Sequence, residues 1–299
     1  MQLETPAREV EPFELVLYHG LRPGHPCHDG WGVAWSVWDH ARRQGKDIEA
    51  IGLVRGKPMP ADLVERCRGK KVLMGDFAYG PKEMLMLSDA AREFVLLDHH
   101  KSAEEELRNG VWHGAGFREV VFDIKRSGAL ITYEHLNPGV EPPMLILTTS
   151  DRDLWEFKRG DTRAIAAYMQ SLECTFLNWE RLAVDLENEW TYAGIVRAGE
   201  SIERYKQTVV DLVIEDFAVL DTWLGKVAVV NSACLQSEIG ERLAKDHIFG
   251  VVWWQHKGDI HFSFRSQKYD VTGLAKVMGG GGHAHAAGAR VAAWDDAIP

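Results

Sequence analysis

Short apolar runs alternate with helix-like segments along the first half of the chain, and this alternation constrains the fold more than any other feature. The runs Leu15–Tyr18, Val72–Met74, Phe94–Leu97 and Leu145–Leu147 have the length and composition of short buried strands. Strands that are separated by helices predict a mostly parallel sheet with helices packed on its faces. We therefore predict an α/β fold whose N-terminal part is built on such a sheet.

The chain is long enough for two domains, because its 299 residues exceed the roughly 100–200 residues of a usual single domain. Apolar residues recur at helical spacing from Ser201 to Trp223, which predicts a long amphipathic connecting helix. After it, the runs Gly250–Trp254 and Ile260–Arg265 predict a hairpin in a smaller mixed α/β domain. The predicted domains are 1–195 and 225–299, joined by a connecting helix over 196–224.

Aspartates follow the predicted strands of the first half. Asp76, Asp98 and Asp151 come directly after a strand or a few residues beyond it, and Asp29 lies in the loop after the first strand. The carboxyl ends of parallel strands converge on one crevice of an open sheet, so these side chains should meet there. Four carboxylates in one place repel one another unless cations neutralise them. The pattern therefore predicts a metal centre.

The types of residue in this set indicate which metal and which chemistry. Carboxylates and imidazoles without paired thiolates suit manganese, magnesium or iron, and two such ions ~4 Å apart can clamp a phosphoester and activate water. We expect Asp76 to bridge two ions and His99 to be a ligand. His100 is expected to hydrogen-bond a phosphoryl oxygen, while Asp98 orients the histidines.

A glycine run near the C-terminus predicts a second functional element, a phosphate-binding one. Glycines let the backbone approach an anionic ligand closely, and the small residues after the run fit the start of a helix whose amides attract phosphate. Arg265, at the end of a predicted strand, could contact phosphate in a bidentate manner. The predicted binding residues are Arg265, Gly280, Gly281, Gly282 and His283.

Charge and composition narrow the choice of partner and compartment. A net charge of −10 is unlike the broad basic surface of a protein that grips long nucleic acid, and favours a short anionic substrate held through metal. The four cysteines form no C-x-x-C pair, which favours reduced thiols in a cytoplasm. Residues 1–12 lack the pattern of a secretory signal, and no apolar run approaches the ~18 residues that span a bilayer. We predict a cytoplasmic protein with no membrane partner.

Taken together, Asp98-His99-His100 and the late string GGGGHAHAAG resemble the DHH phosphoesterase superfamily with its DHH-associated C-terminal domain. The resemblance extends over nearly the whole chain. The stretch from Cys27 to Trp35 looks like the first family motif, in a C-x-D-G-x-x-A-A-W form. The other matches are Gly75-Asp76 with the second motif, Asp98-His99-His100 with the third, Ser127-Gly128-Ala129 with a small-residue helix start, and Ser150–Trp155 with the fourth motif in its D-x-D-L-W version.

The resemblance implies a metal-bearing N-terminal domain and a substrate-binding C-terminal domain that face each other across a cleft. It also implies manganese-dependent hydrolysis of phosphodiesters, with one or two ions and with His100 and Asp98 in catalytic roles. Pyrophosphatases of the superfamily share the N-terminal domain and carry a different C-terminal one. The ligands that we assign on this basis are His19, Asp29, Asp76, His99 and Asp151.

The chain departs from the family pattern in its first motif, which in full reads H-x-x-x-D-x-D. Cys27 stands where the first aspartate belongs, so it is a second-choice ligand. His19 ends the first strand and is preferred as the motif histidine, with His25 as the second choice. In the fourth motif the reverse assignment, with Asp153 as ligand, also stays open.

Three functions follow from these observations. The first is metal-dependent hydrolysis of short single-stranded oligonucleotides or dinucleotides to mononucleotides. The second is a non-catalytic nucleotide-binding or sensor protein with a degenerate metal site, which Cys27 favours. The third is hydrolysis of another small phosphate ester or of pyrophosphate. The sequence leaves homodimer formation open.

Overall fold

The computed structural model describes residues 10–20, 27–109 and 117–292. The chain forms two compact units, residues 1–202 and 203–299, and the division falls inside the predicted connecting segment. Within the described ranges, no helix combines the length and the apolar character that a membrane crossing requires.

The first unit is built on a parallel sheet of five strands in the order β2-β1-β3-β4-β5. The strand order reverses between β1 and β3, and ligands of open α/β sheets bind at such a switch point, outside the carboxyl ends of the strands. The parallel pairing of all neighbouring strands confirms the predicted parallel sheet. The strands are β1 (Leu15–His19), β2 (Glu49–Leu53), β3 (Lys71–Gly75), β4 (Glu93–Asp98) and β5 (Phe117–Phe122).

Both faces of this sheet are buried, which explains why its strands are continuous apolar runs rather than alternating ones. Along β3, Val72 and Met74 belong to the core on one face, and Leu73 belongs to the core on the other. The helices of this part of the chain are α1 (His28–Arg43), α2 (Leu63–Cys67), α3 (Pro81–Ala90), α4 (Lys101–Asn109), α5 (Gly128–Leu136), α6 (Met144–Asp153), α7 (Thr162–Gln170), α8 (Phe176–Leu186) and α9 (Glu189–Val213).

The predicted strand at Leu145–Leu147 is wrong, because these residues lie in helix α6. A run of three apolar residues fits a buried helix as well as a buried strand, so periodicity could not separate the two. Leu145 and Ile146 are buried in a core formed with Ile165 and Trp179 of the neighbouring helices. Asp151 therefore lies on a helix and not at the end of a strand. The sequence pattern predicts neither strand β5 nor helix α3.

The second unit contains a mixed sheet of six strands in the order β10-β11-β9-β8-β7-β6, in which only β7 and β8 pair in parallel. The predicted hairpin is confirmed as the antiparallel pair β8 and β9. The elements are β6 (Ala218–Thr222), β7 (Gly225–Asn231), α10 (Gln236–Leu243), β8 (Gly250–His256), β9 (Asp259–Arg265), α11 (Thr272–Val277), β10 (Gly281–His283) and β11 (Ala286–Val291).

The long helix predicted over Ser201–Trp223 ends earlier than expected. Helix α9 stops at Val213, a short 3₁₀ turn follows, and β6 then pairs with β7. Val219 and Leu220 thus belong to a hairpin strand, and the sheet pairing overrides the helical spacing.

The helix expected after the glycine run is also wrong, because Gly281–His283 and Ala286–Val291 form the two strands of a hairpin. The glycines have a packing role there. A Cβ atom on Gly280 would lie 2.0 Å from the carbonyl oxygen of Gly288, so only glycine permits this close approach of the two segments.

Candidate metal centre

The centre of the site is Asp76, a buried residue that directly follows β3. Its two carboxylate oxygens face two different groups of side chains. Oδ2 lies 3.4 Å from His19 Nδ1 and 3.4 Å from Cys27 Sγ, whereas Oδ1 lies 3.1 Å from His99 Nε2 and 3.7 Å from His100 Nδ1. Asp76 also has a φ of +55°, a left-handed conformation that costs a non-glycine residue of the order of 1–3 kcal/mol and that concentrates at functional sites.

The first group consists of His19, Cys27 and Asp76, whose donor atoms all lie within 4.8 Å of one another. His19 is the last residue of β1, and Cys27 occupies the N-cap position of α1. The two residues therefore reach the same carboxylate oxygen from the end of the strand and from the start of the helix. His25, the second choice for the motif histidine, lies outside the described residues.

The second group surrounds the imidazole of His99, which is almost fully buried. Three carboxylates approach its Nε2 atom: Asp76 Oδ1 at 3.1 Å, Asp29 Oδ2 at 3.5 Å and Asp153 Oδ2 at 3.5 Å. Asp29 lies in the first turn of α1, and Asp153 is the last residue of α6. One ligand atom each from Asp29, His99 and Asp153 lies within 4.8 Å of the others, a separation that one ion could span.

The crowding of acids perturbs the pKa values of this group. Burial, and then the charges of Asp76 and Asp153, raise the pKa of Asp29 well above its ordinary value, and burial together with Asp76 raises that of Asp153. Burial works against protonation of His99, but the hydrogen bond to Asp76 and the nearby acids outweigh it and raise its pKa to about 10. In the metal-free protein, a proton on His99 thus partly balances the acids, and a divalent cation can replace it.

A buried oxygen further supports a cation. Asp153 Oδ2 is buried and has no hydrogen-bond partner among the described residues. A buried carboxylate oxygen that is left in this state costs free energy unless a cation or another donor satisfies it. Together with the set of carboxylate and imidazole donors, this atom fits one or two divalent ions.

Asp98 and His100 form a pair beside this group. Asp98, the last residue of β4, is fully buried, and its Oδ1 atom accepts hydrogen bonds from the amide of His99 at 2.8 Å and from Nδ1 of His100 at 2.8 Å. This contact fixes the orientation of the His100 ring. Asp98 can therefore position both histidines, and its catalytic role stays a prediction.

The start of helix α5 holds Asp29 in place. The amides of Gly128 and Ala129 donate to its two carboxylate oxygens at 2.7 and 3.0 Å, an arrangement that the N-terminal end of a helix favours. A Cβ atom on Gly128 would lie 2.5 Å from Cβ of Asp76, so the small residue lets the two acids pack against the helix. The small-residue helix start Ser127-Gly128-Ala129, which is visible in the sequence, is the segment that makes this contact.

Asp151 does not join either group. Its carboxylate accepts hydrogen bonds from the amides of Lys158 and Arg159 at 2.9 and 3.2 Å and from Oγ1 of Thr162 at 2.5 Å. These bonds satisfy both oxygens and hold the loop between α6 and α7. The structure therefore places Asp153, the alternative reading of the fourth motif, with the donor groups and gives Asp151 a contact within the fold.

The predicted substrate residues of the second unit lie at one end of its sheet. Arg265 of β9 and His283 of β10 both pair with Ala286 of β11, so they flank it in the same register. The Arg265 guanidinium donates to Ser237 Oγ at 2.7 Å and to the carbonyl oxygen of Phe264 at 2.9 Å. The sheet thus brings Arg265 and His283 together, and their role in substrate binding stays a prediction.

Comparison with known proteins identifies solved structures with a similar fold. No family model matches the chain. An uncharacterized protein of Acanthamoeba polyphaga mimivirus is 28% identical over 296 residues, which cover 92% of this chain and 66% of that protein. This chain therefore spans less than two thirds of that relative's length.

Solved structures with the same fold include the DHH domain of a member of the s1p family of ribosomal proteins. It has a TM-score of 0.59 at 10% sequence identity, and the match covers 92% of this chain and 81% of that one. A pGpG-specific phosphodiesterase from Vibrio cholerae matches with a TM-score of 0.48 at 15% identity, over 95% of each chain. The first of these similarities shows that the chain has the fold of a DHH domain, as its motifs predict.

Proposed function

We propose that this protein, which has the fold of a DHH domain, is a metal-dependent phosphodiesterase of the DHH superfamily that hydrolyses short single-stranded oligonucleotides or dinucleotides to mononucleotides. The observation that carries the proposal is Asp76, whose two oxygens each face a separate group of metal donors. A carboxylate in this position can bridge two cations, and paired cations are the usual means of hydrolysing a phosphodiester.

In this proposal the ligands are His19, Cys27 and Asp76 for one ion and Asp76, Asp29, His99 and Asp153 for the other. Asp153 replaces Asp151 in the set assigned from the sequence. The bound ions, of which we propose at least one to be manganese, would polarise the phosphate and lower the pKa of a bound water.

The protein's own groups supply orientation and a proton. Asp98 accepts a hydrogen bond from Nδ1 of His100 and so orients the ring. In this orientation the protonated ring can donate from Nε2 to a phosphoryl oxygen or to the departing oxygen of the substrate. Asp98 thus acts through His100, and His100 is the group that contacts the substrate.

The second unit and the overall charge favour a small substrate. Arg265 and His283, which lie in one register at the end of the second sheet, supply a guanidinium and an imidazole for a terminal phosphate. A protein with a net charge of −10 lacks the extended basic surface that a long strand requires.

One observation favours a second candidate, a nucleotide-binding protein without turnover. Cys27 occupies a position where the family motif has an aspartate, and a weakened first site would lower hydrolysis more than nucleotide binding. The first candidate hydrolyses its substrate to mononucleotides, whereas the second binds a nucleotide and does not hydrolyse it.

The test is a rate comparison on four substrates: a labelled dinucleotide, a five-mer, a long single strand and a cyclic dinucleotide, each with manganese, magnesium or zinc. We expect mononucleotide release from the dinucleotide and the five-mer in manganese, and a loss of roughly 10³-fold or more in Asp76→Asn. Asp62→Asn, at an exposed position of the same unit, should keep the wild-type rate and serves as the control. Tight nucleotide binding with no turnover in any metal would support the second candidate, and turnover of pyrophosphate alone would contradict both.

A further inference from the structure

We propose that Cys27 is a thiolate ligand of the first ion, and that this position selects a thiophilic divalent cation such as zinc or cobalt while the second position takes a harder ion such as manganese. This inference deepens the proposed function and rests on the metal centre described there. It makes the centre one that holds two different metals, because each position would select a different ion.

The donor distances support coordination by the thiol. Cys27 Sγ and His19 Nδ1 each lie 3.4 Å from the same atom, Asp76 Oδ2, and all three donors lie within 4.8 Å of one another. Donors that are about 2.0–2.3 Å from a shared tetrahedral ion are separated by about 3.3–3.8 Å. The two contacts of Asp76 Oδ2 therefore have the spacing of a common coordination shell, and all three donors lie within 4.8 Å of one another.

The local backbone directs Cys27 and Asp29 to different ions. Cys27 stands at the N-cap position of α1 with extended backbone angles, and its side chain makes no capping hydrogen bond to the helix. Its carbonyl oxygen accepts from the amide of Trp31 at 2.9 Å, which fixes the residue at the helix start. Asp29 lies inside the first turn, where the α5 amides hold it beside His99.

The two donor groups then differ in softness. The first offers one sulfur, one nitrogen and one oxygen, whereas the second offers one imidazole and three carboxylates. Thiolates favour zinc and related ions, while carboxylates favour manganese and magnesium. On binding, the S–H bond of Cys27 breaks, a metal–sulfur bond forms and the proton passes to solvent, so no electrons are exchanged.

The test is a cobalt titration of the full-length metal-free protein, followed by absorption spectroscopy. We expect a sulfur-to-cobalt charge-transfer band in the near ultraviolet, which Cys27→Ser should abolish. Cys174→Ser, at another half-buried thiol of the same unit, should keep the band and serves as the matched control. Competition between zinc and manganese provides a second readout, in which Cys27→Asp should shift the preference of one site toward manganese by about tenfold or more. Thermal unfolding of each metal-free variant shows that it is folded.

The outcomes separate this inference from the proposed function. A protein that binds two cobalt ions without the band, or a band that persists in Cys27→Ser, overturns the thiolate ligand even if oligonucleotides are hydrolysed. A band that depends on Cys27 in a protein that hydrolyses no phosphodiester supports the ligand and overturns the function. A protein that binds no cobalt at all overturns both.

Discussion

Asp153 Oδ2 lies 3.5 Å from Nε2 of His99, which joins the end of helix α6 to the end of strand β4. Asp151, only two residues earlier on the same helix, instead accepts three hydrogen bonds within the fold. Two neighbouring acids of one motif thus have different surroundings, and this difference leads to the first prediction.

Asp153→Asn should weaken metal binding by 10-fold or more and leave the fold intact. Asp151→Asn should instead lower the free energy of unfolding by about 1–3 kcal/mol with metal affinity nearly unchanged, because it removes a buried acceptor. Isothermal titration with manganese and urea unfolding measure the two effects. Equal loss of metal affinity in both variants would contradict the assignment of Asp153.

The contribution of Asp151 to stability should depend on pH. Burial alone would raise its pKa, but the bonds from Thr162 and from the amides of Lys158 and Arg159 outweigh burial and hold the pKa below its usual value. The stabilisation is therefore present above the unfolded-state pKa of about 3.9 and is lost as the pH falls through the lower folded-state value. The difference in unfolding free energy between the wild type and Asp151→Asn, measured across the acid range, should shrink on acidification. A difference that grows instead would contradict this.

Asp98→Asn should reduce turnover and preserve both ions. Asparagine offers Nδ1 of His100 a weaker, uncharged acceptor, so the ring is held less firmly and we expect kcat to fall by about 10²–10⁴-fold. Metal content, measured by atomic emission, should match that of the wild type. Loss of an ion together with turnover would indicate that Asp98 is itself a ligand.

Removal of metal should destabilise the first unit. The acids around His99 repel one another without a cation, and ligand binding stabilises the folded state by about 2.7 kcal/mol at a concentration 100 times the dissociation constant. A chelator should lower the melting temperature and added manganese should restore it, while Asp76→Asn should show no such restoration. An unchanged melting temperature in chelator would argue against a metal centre.

Gly280→Ala should destabilise the second unit, because the new methyl group would meet the carbonyl oxygen of Gly288. Gly273→Ala is the matched control, since a Cβ atom at that helical position meets nothing within 4 Å. We expect a loss of the order of 1–3 kcal/mol for the first variant and little change or a small gain for the second. Denaturant unfolding measures both. Equal stability in the two variants would mean that the glycine run has no packing role.

The sequence predicts the parallel sheet well because its strands are buried on both faces and therefore read as apolar runs. It also anticipates that Asp76 and His99 meet, since both follow adjacent strands of that sheet. The errors arise where local pattern and tertiary contacts disagree. Three apolar residues at Leu145–Leu147 fit a helix equally well, and the glycine run serves a hairpin rather than the start of a helix.

The distinction between Asp151 and Asp153 could not be read from the chain. Both carboxylates belong to the same short motif, and only the fold of the loop after α6 shows which one its amides engage. The proximity of Cys27 to Asp76 has a weak sequence signal, since the cysteine replaces an aspartate of the family motif. When a substitution replaces one metal-binding side chain of a motif with another, it indicates that the new side chain still faces the site.

Anomalous diffraction from a crystal soaked with zinc and manganese, measured at the absorption edge of each metal, tests the two-ion centre most directly. We predict two ions that share the Asp76 carboxylate, one beside His19 and Cys27 and the other beside His99 and Asp153. A single ion that does not contact Asp76, or an ion bound at Asp151, would contradict it.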